Sequence, residues 1–200
     1  MLQRKEVRNL PFEKYVVGLC GRSRAGKSTV AGILQRSRFI HNLYGEVTVI
    51  STSDLLREMN PDTDLSSHKA MAEEAKRDLS HAIVQKATEA PDGLVVIDAV
   101  KTRKDYWAIR RSFSHRIFLV VWALPKIRWQ RAGQDPQGDQ IPGTHEEFIE
   151  KFDGHPMEKD YNFLWWETSN HLDNNLTFIR LELNLLVKFE IFKGRFERYL

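Results

Sequence analysis

The residues of this chain best suited to chemistry lie in the segment CGRSRAGKST, which directly follows the apolar run YVVGLC. Gly21 is followed by four residues and then by Gly26, Lys27 and Ser28, which fits the pattern G-x-x-x-x-G-K-[ST]. Glycines in such a loop let backbone N–H groups approach a phosphate, and the next helix points its positive end at the same anion. The pattern therefore predicts a phosphate-binding loop.

We expect this loop to bind ATP together with Mg²⁺. Lys27 can reach the β- and γ-phosphates and act in catalysis, Ser28 can bind the metal, and Thr29 lies beside it. The predicted nucleotide-binding residues are Gly21, Arg22, Ser23, Arg24, Ala25, Gly26, Lys27, Ser28 and Thr29.

Asp98 is the second candidate metal ligand. It ends the apolar run LVVID, and ligands of α/β proteins bind at the carboxyl ends of such strands. A carboxylate at that position can hold Mg²⁺ through water, as in other phosphate-transferring proteins. The alternative interpretation is an aspartate that caps a helix at the junction between a strand and a turn.

Two arginines could supply positive charge to a transferring phosphoryl group. Arg128 and Arg131 are three residues apart on a predicted helix, so they share a face, and the polar loop 134–143 follows. We interpret 126–152 as a small lid whose arginines act in catalysis. The alternative is that both side chains are ordinary surface charges.

Asp54 and Arg57 begin a short predicted helix after the second strand. Arg57 could bind the phosphate of an acceptor, and Asp54 could orient or deprotonate an acceptor hydroxyl. A nucleotide phosphate would need no such base, because it is already anionic. The alternative for Asp54, or for Ser53, is a plain helix cap.

Strands and helices alternate along the chain, which predicts a doubly wound α/β fold with a mostly parallel five-stranded sheet. Continuous apolar runs such as LVVID and RIFLVVWAL indicate strands buried on both faces. Pro125 is expected to open a helix, and Thr144 with Glu147 to form a capping box. We also predict one long helix over 65–90, a last strand in NFLWWETS, and a helical segment over 172–200.

Composition favours one globular domain over 1–200. The chain has 42% hydrophobic and 28% charged residues and a net charge of +3, which permits anionic ligands without requiring DNA. Its single cysteine, Cys20, excludes an internal disulfide and suits a reducing compartment. Without a signal-like or membrane-spanning run, the sequence predicts a cytoplasmic protein.

Several stretches, in order, resemble the P-loop nucleoside monophosphate kinases. VISTSDLLRE is similar to the acceptor segment of that family, which implies acceptor contacts for Ser51 and Arg57 within an acceptor region over 51–90. VVIDAVKTRKDYWAIR resembles the metal-binding strand and next helix of phage deoxynucleoside monophosphate kinases and of archaeal dephospho-CoA-kinase-like proteins. DGHPMEKDYNFLWWETSN is similar to a phage-kinase stretch containing His-Pro-Ser-Glu, which implies acceptor contacts for His155 and Glu158.

Two positions depart from the family pattern. Lys101 stands where the family has an arginine, so a compact point charge replaces a bidentate guanidinium. We expect Arg103, two residues later, to take the place of that arginine in the acceptor site. Met157 replaces the serine of His-Pro-Ser-Glu. Both departures concern the identity of the acceptor.

Three functions stay open at this point. The first is phosphorylation of a deoxynucleoside monophosphate by ATP and Mg²⁺. The second is phosphorylation of 5-hydroxymethyluracil within phage DNA, in which DNA is the acceptor and the protein acts in the cytoplasm of a host. The third is a nucleotide-gated switch in an interaction protein. A monomer or a homodimer is compatible with each.

Overall fold

The structure is a computed structural model that describes residues 14–61, 79–134, 143–154, 160–168, 170–175 and 178–196. Two predicted acceptor residues, His155 and Glu158, lie outside the described residues. So do residues 65–78 of the predicted long helix and residues 135–142 of the predicted lid loop.

A five-stranded sheet forms the centre of the protein, and every pair of neighbouring strands in it is parallel. The strand order is β2-β3-β1-β4-β5. The predicted doubly wound α/β fold is therefore confirmed. The strands are β1 (Tyr15–Cys20), β2 (Glu46–Ser51), β3 (Gly93–Asp98), β4 (Arg116–Trp122) and β5 (His171–Asp173).

Helices connect and cover these strands. Two of them begin at a complete capping box, formed by Thr102 with Asp105 and by the predicted pair Thr144 with Glu147, and Pro125 opens a third helix as expected. The helices among the described residues are α1 (Lys27–Arg36), α2 (Arg38–Tyr44), α3 (Thr52–Met59), α4 (Leu79–Glu89), α5 (Arg103–Ser112), α6 (Pro125–Gly133), α7 (His145–Asp153), α8 (Tyr161–Glu167) and α9 (Phe178–Phe196).

Alternate residues of the central strands enter two separate hydrophobic cores. In β1, Val17 and Leu19 pack on the side of α1, α2 and α9, whereas Val16 and Cys20 pack on the side of α3, α4, α5 and α8. This two-sided burial explains the continuous apolar runs.

Burial also raises the pKa of the Cys20 thiol to about 12. No helix within the described ranges has the length and apolarity that a membrane crossing requires.

Two predictions for the last third of the chain are wrong. The segment NFLWWETS is not a strand, because most of it forms α8. Leu164 and Thr168 are buried there while Trp166 is exposed, which is a helical period. The last strand is instead β5, and the final helix begins only at Phe178. In the first part of the chain, the sequence did not predict the short helix α2. Ser37 caps this helix by accepting a hydrogen bond from the Ile40 N–H.

Candidate active site

A cavity of about 730 Å³ opens at the carboxyl ends of β1, β2 and β3. This is the edge of a parallel sheet at which α/β proteins bind ligands. The loop between β1 and α1 forms one wall of the cavity. The residues that line it from this side are Ser23, Arg24, Gly26, Lys27, Ser28 and Thr29.

The backbone of that loop has the shape that a phosphate site needs. Gly21, Arg24 and Gly26 all have positive φ angles, of 140°, 62° and 94°. Helix α1 begins directly after Gly26 and has no acidic residue in its first turn, so its positive end is available to an anion. The Lys27 ammonium folds back and donates to the carbonyl oxygens of Gly21 at 2.8 Å and Arg22 at 3.1 Å. Six of the nine predicted loop residues thus line one end of the cavity, whereas Gly21, Arg22 and Ala25 do not line it.

Asp98 is the last residue of β3 and lies between the carboxyl-terminal ends of its two neighbouring strands. It is in register with Leu19 of β1 and Ser51 of β2. Its Oδ1 is buried and has no hydrogen-bond partner among the described residues, which is unusual for a carboxylate oxygen. A hard cation such as Mg²⁺ would satisfy this atom, so the residue fits the metal site predicted for it.

The two side chains predicted to hold such a cation lie at the same cavity. Ser28 and Asp98 both line the cavity. The described part of the chain contains no cluster of three or more His, Cys, Asp or Glu side chains that could hold a metal by itself. This fits Mg²⁺, which usually binds one or two protein ligands together with water and substrate phosphate oxygens.

The opposite wall of the cavity is polar and carries both signs of charge. It is formed by the start of α3 and by the segment after β3. The residues that line it are Ser51, Ser53, Asp54, Arg57, Asp98 and Lys101. Hydroxyl, carboxylate and cationic groups therefore line the same cavity as the β1–α1 loop.

Helix α3 is capped by Ser51, whose hydroxyl accepts a hydrogen bond from the Asp54 N–H at 3.2 Å. The predicted cap at Ser53 or Asp54 is therefore wrong by two or three residues. Because the Asp54 side chain does not cap the helix, it can form an exposed ion pair with Arg57, with an N–O distance of 2.6 Å. Both candidate acceptor residues thus lie at the cavity, where they pair with each other.

Arg103 lies apart from this wall. Its Nε pairs with a carboxylate oxygen of Asp160 at 3.1 Å, and its guanidinium stacks over the Phe163 ring at 4.7 Å. The residue does not line the cavity, whereas Lys101 does. Of the two cations expected to replace the family arginine, only Lys101 is at the site in this conformation.

The two predicted lid arginines have different environments. Arg131 lines the cavity and donates to the carbonyl oxygen of Ala25 at 3.2 Å and to that of Asn174. Partial burial lowers the pKa of the Arg131 guanidinium below its usual value.

Arg128 is 1% exposed and forms two hydrogen bonds with the Asp153 carboxylate, of 2.8 and 2.7 Å. The structure therefore corrects the expected placement of Arg128, which does not line the cavity and is buried, with the partly buried Asp153 as its counter-ion. Sequence reasoning missed Asp153, and also missed Asn174, since neither belongs to a local pattern.

Replacing Gly26 by alanine is expected to destabilise the protein by about 1–3 kcal/mol and to weaken ATP binding. A Cβ at this position would collide with the Asn174 side-chain nitrogen, and the φ of 94° is itself unfavourable for alanine. Thermal unfolding and ATP titration calorimetry would measure both effects.

Gly133→Ala is the matched control. A Cβ there would meet nothing within 4 Å, and the residue lies in α6, so this variant should be neutral or slightly more stable. Equal stability of the two variants would contradict the close packing described for Gly26.

Comparison with known proteins extends these observations. A family model described as AAA domain matches residues 17–153. A comparison with curated proteins finds no match. Among solved structures, the shikimate kinase of Bacteroides thetaiotaomicron is similar with a TM-score of 0.60 and 15% identity, over 88% of this chain and 97% of that one.

Two further kinases have a similar structure. The APS kinase of Mycobacterium tuberculosis, solved in complex with AMPPNP and APS, has a TM-score of 0.51 and 17% identity over 90% of this chain and 98% of that one. A gluconokinase of Sinorhizobium meliloti has a TM-score of 0.51 and 16% identity over 89% of this chain and 94% of that one. At these identities, the comparisons show a shared fold.

Proposed function

Because the chain belongs to the AAA domain family, we propose that it is an ATP-dependent phosphotransferase with the β1–α1 loop as its phosphate site. One observation supports this most directly. The loop and its lysine face a cavity whose opposite wall carries hydroxyl, carboxylate and cationic side chains. A protein that only hydrolysed a nucleotide would need no such second wall. The kinases of similar fold also favour transfer to an acceptor.

In this proposal the chain contributes positioning and positive charge, which is most of what phosphoryl transfer requires. Lys27 exchanges its two backbone carbonyl partners for the outer phosphates of ATP. Arg131 adds positive charge at the same end of the cavity. Ser28 and Asp98 would hold Mg²⁺, which neutralises phosphate charge when it is bound.

For the acceptor, we propose a deoxynucleoside monophosphate. Arg57, Lys101 and Ser51 are suited to hold its phosphate, because two cations and a hydroxyl line the wall opposite the loop. Arg103, His155 and Glu158 complete the proposed acceptor site. Arg103 would exchange its partner Asp160 for the substrate. An acceptor region over 51–90 and a lid over 126–152 are parts of the same proposal.

The position of Asp54 favours a second candidate, an acceptor with a hydroxyl group. Its carboxylate lies at the cavity and does not cap α3, so it can accept the proton of an attacking hydroxyl. Hydroxymethylated pyrimidine in DNA is the acceptor of this class that the sequence suggests. An anionic phosphate acceptor has no proton to give up, and therefore gives Asp54 no such role.

A transfer assay with labelled ATP and Mg²⁺ tests the proposal against two acceptor panels. One panel contains free nucleoside monophosphates, and the other contains DNA with normal or hydroxymethylated pyrimidines. Label in a diphosphate supports the first candidate, and label in DNA supports the second. Hydrolysis that no acceptor stimulates would favour a nucleotide-gated switch and contradict both.

The variant Asp54→Asn separates the two acceptor classes further. With a hydroxyl acceptor, loss of the base should slow transfer by about 10²–10⁴-fold. With a phosphate acceptor, the same change should have a small effect, because the carboxylate takes no proton there. Transfer rates with both panels would measure the difference.

A further inference from the structure

We propose that Arg128, held by Asp153, and Asn174 are positioning residues that keep the N–H groups of the phosphate-binding loop turned toward the ligand. This inference rests on the proposed function, in which that loop binds the phosphates of ATP. The three residues lie outside the loop, in α6, at the end of α7 and directly after β5. None of them belongs to the loop motif itself.

Arg128 reaches the loop from the buried side of α6. Its Nη1 donates to the carbonyl oxygen of Ser23 at 3.3 Å and also to Asp153, whose carboxylate takes both terminal nitrogens of the guanidinium. The ring of Phe148 lies 5.6 Å from the guanidinium carbon. These contacts hold Arg128 in an orientation in which it donates to the Ser23 carbonyl.

The contact at Ser23 fixes the direction of the next N–H group. In a trans peptide, the carbonyl of one residue and the N–H of the next point to opposite sides. The described chain has no cis peptide bond. Since the Ser23 carbonyl points toward Arg128, the N–H of Arg24 points away from Arg128.

A second pair of contacts fixes the peptide between Ala25 and Gly26. The Asn174 side-chain nitrogen donates to the Ala25 carbonyl oxygen at 2.6 Å, and Arg131 donates to the same oxygen at 3.2 Å. By the same geometry, the N–H of Gly26 points away from Asn174. The two fixed carbonyls lie on either side of Arg24, whose φ of 62° is costly for a residue with a side chain. Contacts on both flanks can maintain such a conformation.

Asp153 also holds a third part of the loop. Its Oδ1 pairs with Arg22 at 3.3 Å, and the Arg22 guanidinium lies over the Tyr161 ring at 4.4 Å. One carboxylate thus connects Arg22 and Arg128, and through Arg128 the Ser23 carbonyl. The end of α7 is thereby tied to the loop at two consecutive residues.

A purely stabilising role would explain this arrangement poorly. Burying an ion pair costs much of the electrostatic energy that the pair returns. Here the Nε of Arg128 is also buried and has no hydrogen-bond partner among the described residues. The ion pair does hold a hydrogen-bond donor of Arg128 at the Ser23 carbonyl, and such a donor is needed to position the loop.

The test is the ATP affinity of Arg128→Lys, measured by calorimetry on the full chain with Mg²⁺. Lysine keeps the charge opposite Asp153 but has no planar fork that could hold Ser23 and both carboxylate oxygens together. We expect ATP to bind about tenfold more weakly, at a temperature where circular dichroism shows the variant folded. Arg110→Lys is the matched control, because Arg110 contacts Tyr106 and Glu167 and should leave the affinity unchanged.

Wild-type affinity in folded Arg128→Lys would overturn the inference, since a merely structural role changes the unfolding temperature and not the affinity of the folded protein. If Arg128→Lys does not fold, Asn174→Ala decides in its place: tenfold weaker binding supports the inference and unchanged binding overturns it. Absence of ATP binding by the wild-type protein would overturn the proposed function and this inference together. If the wild-type protein binds ATP and the folded variants bind it equally well, this inference fails while the proposed function stands.

Discussion

Replacing Lys27 by alanine is expected to slow phosphoryl transfer by about 10³-fold or more, because the change removes a positive charge that acts on the transferring group. At 25 °C this corresponds to about 4 kcal/mol of lost transition-state stabilisation. Steady-state transfer of label from ATP to the acceptor identified in the assay above would measure the effect.

The same variant should fold normally. Lys27 is the first residue of α1, its ammonium donates to the nearby carbonyls of Gly21 and Arg22, and it belongs to neither hydrophobic core, so alanine leaves the two cores intact. Lys14→Ala is a suitable control, because this lysine precedes the opposite end of β1 and donates to the Thr88 carbonyl. Retained transfer in Lys27→Ala would refute the assignment of the loop as the phosphate site.

The second large effect is expected for Asp98→Asn, which should lower Mg²⁺-dependent transfer by about 10²–10³-fold. Asparagine preserves the shape of the side chain but removes the negative charge that would attract the cation. The buried Oδ1 has no hydrogen-bond partner among the described residues, so the substitution breaks no hydrogen bond at that oxygen. The free energy of unfolding without ligand should therefore be unchanged or higher.

Thermal unfolding provides a readout that does not require turnover. For the wild-type protein, ATP with Mg²⁺ should raise the unfolding temperature more than ATP alone, because a ligand that binds only the folded state stabilises it. Asp98→Asn should lose this additional increase, whereas Asp92→Asn, an exposed change before the opposite end of β3, should keep it. A full Mg²⁺ effect in Asp98→Asn would exclude a metal-binding role for Asp98.

The acceptor side is where sequence and structure agree least. Ser51, Asp54 and Arg57 were all expected at the site and all line the cavity. However, the sequence did not indicate that Ser51 is the helix cap, or that Asp54 and Arg57 pair with each other. A cap is decided by where the strand ends and the helix turns, and a difference of two or three residues changes which side chains remain available to a substrate.

The sequence by itself determined the features that depend on neighbouring residues. The strand, glycine loop and helix around Lys27 follow from local backbone preferences, and the continuous apolar runs required a parallel sheet covered on both faces. Asp98 could be placed for the same reason, since ligands of such a sheet bind at the carboxyl ends of its strands.

Only the tertiary structure decided the partners of the arginines. Sequence spacing placed Arg128 and Arg131 on one helical face. In the structure, Arg128 is buried and pairs with Asp153, whereas Arg131 reaches the cavity. The segment of α8 was equally ambiguous, because an apolar run of that length suits a strand or a helix until its packing partner is known. The Ser23 and Ala25 carbonyls meet donors 105, 106 and 149 residues away, and contacts over such separations arise only when the sheet brings those segments together.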